Sequence, residues 1–85
     1  MRIHLRFFAS IREQLGIPEE TLVLPDTVTT VGQLRRFLMA RGTVWQEALS
    51  YDRPVRMACR FEMADDGTAL SEDCEVAFFP PVTGG

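Results

Sequence analysis

The sequence predicts an α+β fold in which a mixed β-sheet wraps over one main helix. Both ends of the chain alternate apolar and polar residues, as half-buried strands do. One central segment instead carries apolar residues at helical spacing. The order is therefore strand, strand, long helix, and then two or three strands, and strands segregated around one helix indicate an α+β roll.

The first strand is expected at residues 2–8, with three apolar side chains on one face (Ile3, Leu5 and Phe7). Ser10 and Glu13 have the spacing of a capping box, which predicts a short helix that Gly16 ends. The segment EETLVLPD (19–26) predicts a second strand, because Pro25-Asp26 closes a short β-prone run.

The main helix is expected to follow Thr30, which forms a second capping-box pair with Gln33. Four apolar residues then recur at helical spacing: Val31, Leu34, Phe37 and Leu38. Gly42 is expected just past the C-terminus of this helix. The segment TVWQEALS (43–50) predicts one or two further helical turns with an apolar side (Trp45, Ala48 and Leu49).

The pattern returns to strand after Pro54, where Val55, Met57 and Cys59 alternate with other residues. The phase changes at Arg60-Phe61, which predicts that one strand ends and a short neighbour begins there. Asp66-Gly67 predicts a turn. The segment CEVAFF (74–79) predicts the last strand, with two residues facing inward (Val76 and Phe78). We expect the first and last strands to pair at the centre of the sheet.

Length and charge exclude several classes of protein. With 85 residues, one small domain is expected. The net charge is −3, the acidic and basic residues are scattered along the chain, and no basic stripe is present, so nucleic-acid binding is not expected. No apolar run approaches the roughly 18 residues of a membrane span or forms a secretory signal, which predicts a cytoplasmic protein without a membrane partner.

The two cysteines do not have the spacing of a metal site. Cys59 and Cys74 are 15 positions apart, and the chain contains one histidine. A zinc or other metal site is therefore not expected, and neither is a structural disulfide. Both residues are interpreted as small strand or turn residues, and the spacing assigns them no further role.

The segment FFPPVTGG (78–85) carries the strongest functional signal. Pro80 and Pro81 favour an extended path, and six residues at 3.1–3.5 Å each reach about 20 Å. Gly84 and Gly85 have no Cβ atoms, so their backbone fits a channel too narrow for other residues. A free carboxylate is a poor acyl donor, but joining it to AMP through ATP supplies a good leaving group. We expect the carboxylate of Gly85 to be the reacting group.

This ending, together with CEVAFF, resembles the molybdopterin synthase small subunits, a ubiquitin-like sulfur-carrier family that ends in Gly-Gly. The opening segment RFFASIREQLG (6–16) resembles that family's first strand and helix, so the similarity covers essentially the whole chain. The resemblance implies one β-grasp domain over residues 1–85, in which residues 80–85 form an extended C-terminal tail.

The resemblance also implies a function for the tail. An ATP-dependent activating enzyme adenylates Gly85, which then becomes a thiocarboxylate. The preceding residues thread into the large synthase subunit (Pro80, Pro81, Val82, Thr83 and Gly84). Sulfur passes there to cyclic pyranopterin monophosphate in molybdenum cofactor biosynthesis. This chain is then a non-catalytic subunit of a sulfurtransferase, a heterotetramer whose catalytic residues lie on the large subunit, and it binds no cofactor itself.

Strand alternation predicts a partner-binding surface beside the tail. Phe8 and Phe79 fall on the outward face of the first and last strands, and Ala77 precedes Phe79 on that face. If the two strands are neighbours, these residues form an apolar patch at the root of the tail. His4, on the same face, is interpreted as a solvated strand residue.

Two alternative functions remain at this point. The alternatives are a sulfur carrier for thiamine thiazole synthesis and a ubiquitin-like modifier conjugated through Gly85. The chain contains no lysine, so a modifier could not form lysine-linked chains on itself.

Two stretches depart from the pattern of the family that the chain resembles. Asp73-Cys74-Glu75 stands where Gly-Asp-Glu is common, and ACRFEM (58–63) lacks an expected Val-Asn pair.

Overall fold

The computed structural model describes residues 1–81 and confirms the predicted α+β class. Five strands form one mixed sheet in the order β2-β1-β5-β3-β4. In chain order the elements are β1 (Arg2–Phe7), α1 (Ala9–Leu15), β2 (Glu19–Val23), α2 (Val31–Met39), α3 (Thr43–Ala48), β3 (Arg56–Cys59), β4 (Glu62–Ala64) and β5 (Glu75–Phe79). Within residues 1–81, no helix has the length and apolar character needed to cross a membrane.

The first and last strands pair at the centre of the sheet, as predicted. β1 and β5 run parallel, with Leu5 opposite Val76 and Phe7 opposite Phe78. β2 is antiparallel to β1 and β3 is antiparallel to β5. Because β1 and β5 run in the same direction, their carboxyl ends share one edge of the sheet. The chain therefore leaves the sheet centre at Pro80, close to the start of α1.

The hydrophobic core lies on one face of the sheet, beneath α2. The inward residues predicted for the two central strands are all buried (Ile3, Leu5, Phe7, Val76 and Phe78), as are three of the four helix residues (Val31, Leu34 and Leu38). The Phe7 ring stacks on Phe78 with 6.0 Å between ring centroids and meets Trp45 edge-on at 5.7 Å. Each such buried side chain contributes about 1.5–3 kcal/mol of transfer free energy, so the core fixes the strand phase.

The predicted capping box at the start of α2 is confirmed. The Gln33 backbone N–H donates to the Thr30 hydroxyl at 3.2 Å, and the Thr30 N–H donates to the Gln33 side-chain oxygen at 3.2 Å. The predicted end at Gly42 is wrong. Ala40 caps α2 in a right-handed conformation, so no left-handed glycine is needed there, and Gly42 instead precedes α3.

The predicted capping box at Ser10 and Glu13 is also wrong. The N-cap of α1 is Phe8, which continues the extended backbone of β1 and makes no side-chain cap. Ala9 then turns the chain with a φ of +52°, so Ser10 already lies inside the first turn. The C-terminal prediction is confirmed, since Gly16 ends α1 in the left-handed conformation with a φ of +78°.

Both stretches that depart from the family's pattern contain residues with positive φ. Arg60 and Phe61 form the two-residue loop between β3 and β4, with φ angles of +53° and +66°. Asp73, where the resemblance implies a glycine, has a φ of +62°. The strand boundary predicted at Arg60-Phe61 is therefore confirmed, and non-glycine residues adopt the conformations that glycine or asparagine adopts most readily.

Candidate functional site

The candidate site is the surface around Phe79–Pro81, which we call the tail root. Pro80 and Pro81 are half-buried and continue directly from β5. The four residues predicted to thread or react beyond them lie outside the described residues (Val82, Thr83, Gly84 and Gly85). Four extended residues span at most about 14 Å, so the tail root limits where Gly85 can reach.

An open apolar cavity of about 450 Å³ lies on the outer face of the sheet next to the tail root. Ala58 and Ala77, directly opposite each other on β3 and β5, form its floor. Aromatic rings line it from three separate elements (Phe8, Phe61 and Phe79), and Arg6 and Glu75 complete the lining. We call this the aromatic cavity. The structure thus brings together all three residues predicted for partner binding.

The exposure of these rings follows from strand alternation. Phe78 is fully buried, whereas its neighbour Phe79 is half-buried on the outer face. Phe8 is 40% exposed, and its backbone N–H donates to the Phe78 carbonyl at 3.2 Å. The β1–α1 junction is thereby tied to β5, and this fixes Phe8 beside the tail root.

Phe61 belongs to the cavity but was not predicted from the sequence. It is 86% exposed and lies in the loop between β3 and β4. Its place depends on the antiparallel pairing of β3 with β5, a contact between segments far apart in the chain. The change of phase at Arg60-Phe61 was the available signal, but it predicted only a boundary between two strands and not the position of the Phe61 ring.

Arg6 lies at the rim of the cavity between two carboxylates. Its guanidinium is 3.8 Å from Glu19 and 3.7 Å from Glu75, distances that give ion pairs without short hydrogen bonds. Its Cζ lies 5.6 Å from the centroid of the Phe8 ring, within cation–π range. The Arg6 Nε is buried and has no hydrogen-bond partner among residues 1–81. The rim is therefore charged, with one donor still unsatisfied.

A separate polar cluster surrounds Asp73 at the opposite end of β5. The Arg2 Nε donates to Asp73 at 2.6 Å, and this hydrogen bond lowers the pKa of the Asp73 carboxyl. His4 lies 3.3 Å from the same carboxylate and 3.0 Å from the Thr21 hydroxyl. His4 is partly exposed on its strand, as predicted, and its hydrogen bonds are to this cluster.

The two cysteines lie on the core side of the sheet, away from the aromatic cavity. Cys59 and Cys74 are both buried and unbonded, with 3.9 Å between their sulfur atoms, well beyond the disulfide bond length of about 2.05 Å. Burial, together with the neighbouring Cys74, raises the pKa of the Cys59 thiol. A buried thiol of raised pKa is a poor nucleophile, which fits the prediction of small structural residues.

Comparison with known proteins assigns the chain to a family. The model of the ThiS family matches residues 5–85. The chain belongs to the ThiS family. Two curated relatives are named molybdopterin synthase sulfur carrier subunit. The one from Escherichia coli K12 is 39% identical and the one from Haemophilus influenzae 32%, each over 83 residues that cover 98% of this chain and 99% of the relative. The resemblance found in the sequence is thus confirmed.

Solved structures confirm the β-grasp fold of this ThiS-family chain. The crystal structure of SAMP1 from Haloferax volcanii superposes with a TM-score of 0.76 at 24% identity. One chain of the protein–protein complex of subunits 1 and 2 of molybdopterin-converting factor from Helicobacter pylori superposes with a TM-score of 0.69 at 22% identity. Both comparisons cover 100% of either chain. At these identities they show the fold alone.

Proposed function

We propose that this ThiS-family protein is the sulfur-carrier subunit of a molybdopterin synthase. The observation that carries the proposal is the near full-length similarity to two curated subunits of that name. The geometry supports it, because the chain leaves the centre of a rigid sheet beside an uncovered apolar cavity. The similarities favour neither a thiamine carrier nor a protein modifier.

In the proposed reaction, the carboxylate of Gly85 attacks ATP on an activating enzyme and forms an acyl adenylate, with pyrophosphate released. Sulfide-level sulfur from a sulfur donor then attacks the acyl carbon and displaces AMP, which leaves a thiocarboxylate on Gly85. The thiocarboxylate sulfur finally bonds to a carbon of cyclic pyranopterin monophosphate on the large subunit, and water cleaves the bond between that sulfur and the acyl carbon of Gly85, which restores the carboxylate. Acid–base residues of the large subunit serve this last step, so the present chain supplies sulfur and binding energy.

The tail root directs the reacting group. Pro80 fixes its own φ near −65° and disfavours helix, so the tail continues away from β5. Val82, Thr83 and Gly84 then thread into the partner. Because Gly85 lies within about 14 Å of Pro81, any protein that receives it must also cover the tail root. We therefore assign Phe8, Ala77 and Phe79 to partner binding.

The proposed assembly is a cytoplasmic heterotetramer that contains the large subunit of the synthase. The small subunit holds no cofactor, and ATP is consumed only by the activating enzyme. The name of the Helicobacter pylori complex, which joins subunits 1 and 2 of a converting factor, supports a large-subunit partner.

Two variants at the last position test the proposal. Deleting Gly85, or adding one alanine after it, displaces the reacting carboxylate by one residue. We expect sulfur transfer to pyranopterin to fall to background in a system reconstituted with the large subunit and the activating enzyme. The midpoint of thermal unfolding serves as the control and should match that of the unaltered protein. Transfer at the normal rate by either variant would refute the assignment of Gly85.

A further inference from the structure

The loop between β3 and β4 has an unusual sequence for its backbone. Both of its residues, Arg60 and Phe61, have positive φ angles, the pattern of a type I′ hairpin turn. Such turns favour Asn-Gly, and a bulky residue with positive φ is strained. Phe61 is also 86% exposed, so its ring gains little from burial in the folded chain. This position therefore carries a residue that folding alone does not favour.

The turn is nevertheless held firmly. The Arg60 backbone N–H donates to the Glu75 carbonyl at 3.0 Å, and the Arg60 guanidinium donates to the Ser71 hydroxyl at 2.8 Å. These bonds tie the loop to the start of β5 and to the segment before it. The Phe61 ring is thereby presented at the end of the aromatic cavity that is remote from the tail root.

Each end of the aromatic cavity thus carries aromatic rings. Phe8 and Phe79 lie at the tail-root end and Phe61 lies at the other, with the small side chains of Ala58 and Ala77 between them. A floor of alanine between aromatic walls leaves room for a large apolar side chain. The charged rim of Arg6 and Glu75 completes the arrangement of a protein interface, an apolar centre inside a polar border.

We propose that Phe61 is a docking residue for the large subunit, whose surface places a hydrophobic side chain in the aromatic cavity between Phe61 and Phe79. This inference rests on the proposed function, because the large subunit must cover the tail root to receive Gly85. It goes further by assigning a partner contact to a strained loop at the other end of β5. Strained backbone is concentrated at functional sites, and a contact between the Phe61 ring and the partner would account for a strained residue at this exposed position.

The proposal makes stability and binding change in opposite directions. Phe61→Asn places at this position a residue that adopts positive φ more readily than phenylalanine, and it removes the ring. We expect its thermal midpoint to rise by about 1–5 °C, and its Kd for the purified large subunit of the same organism to rise at least about tenfold. Phe61→Leu, which keeps apolar surface, should retain an intermediate affinity. Val23→Asn is the matched control, because Val23 is 74% exposed on the opposite edge strand β2, and its Kd should stay within about twofold.

Calorimetric titration and thermal melts of these full-length variants decide the question. A Kd for Phe61→Asn within about twofold of the unaltered protein would overturn the proposal. A lowered midpoint together with weak binding would overturn it too, since the ring would then support the fold. The proposal would also be overturned if Phe61→Asn left binding to the large subunit unchanged and instead reduced self-association or binding to the activating enzyme. Sulfur transfer by the unaltered protein is measured in parallel, because its absence would refute the proposed function instead.

Discussion

Phe78 and Phe79 are adjacent in the chain and have opposite environments. Neighbouring residues of a strand face opposite sides of the sheet, so Phe78 packs in the core and Phe79 lines the aromatic cavity. We predict that Phe78→Ala lowers the free energy of unfolding by about 3–5 kcal/mol. Phe79→Ala should cost clearly less stability and weaken binding to the large subunit. Urea unfolding and titration calorimetry measure the two effects, and equal losses of stability would show that the strand phase is wrong.

The ion pair between Glu20 and Arg41 gives a second prediction at this scale, a dependence of stability on pH. Arg41 binds both carboxylate oxygens of Glu20, at 2.8 and 2.5 Å, and this hydrogen bonding lowers the pKa of Glu20. A carboxyl with a lowered folded-state pKa stabilises the fold above its unfolded pKa, and that contribution is lost as the pH falls through the folded value.

We therefore expect Glu20→Gln to be less stable than the unaltered protein at pH 7, by up to about 1 kcal/mol. The difference should shrink below the ordinary glutamate pKa of about 4.3 and vanish in stronger acid. Glu47→Gln is the control, because Glu47 is in no ion pair among residues 1–81. Unfolding curves at several pH values test this, and a difference that persists unchanged at low pH would contradict it.

At the scale of elements, the tail is the segment whose shape matters most. A methyl group on Gly84 barely affects a free tail, whereas in a channel fitted to glycine backbone it must clash or displace the chain. Displacing a reacting atom by about 1 Å can reduce the rate about a hundredfold. We predict that Gly84→Ala lowers the rates of adenylation and sulfur transfer about a hundredfold, and that Gly84→Leu lowers them further.

Binding of the folded body should be nearly unchanged in both Gly84 variants, because the aromatic cavity is intact. Single-turnover rates and titration calorimetry separate the two quantities. Normal delivery of sulfur by both variants would mean that Gly84 and Gly85 are only a flexible end.

The elements also show where sequence patterns are reliable. The capping box at Thr30 was predicted correctly because the cap and the apolar stripe of α2 agree. The similar pattern at Ser10 failed because Phe8 continues the extended backbone of β1 and Ala9 makes the turn. The prediction for Gly42 failed because Ala40 already caps α2 in a right-handed conformation and Gly42 instead precedes the next helix.

For the whole molecule, the central pairing of β1 with β5 could be predicted, and with it the position of Phe8 beside Phe79. The cavity as a whole could not be predicted, because Phe61 joins it only through the register between β3 and β5. That register depends on contacts between distant segments, which alternation within one strand does not specify. The same pairing explains the architecture, since the tail originates at the end of β5, a strand that is paired on both sides and has its inward residues buried.

The central claim is that Gly85 carries sulfur, and intact-mass measurement of the protein purified from its own cells tests it most directly. In cells that make molybdenum cofactor, we predict a population whose mass exceeds the calculated value by the difference between one sulfur and one oxygen atom. Fragmentation should place that difference on Gly85. A wholly unmodified population under these conditions would contradict the account.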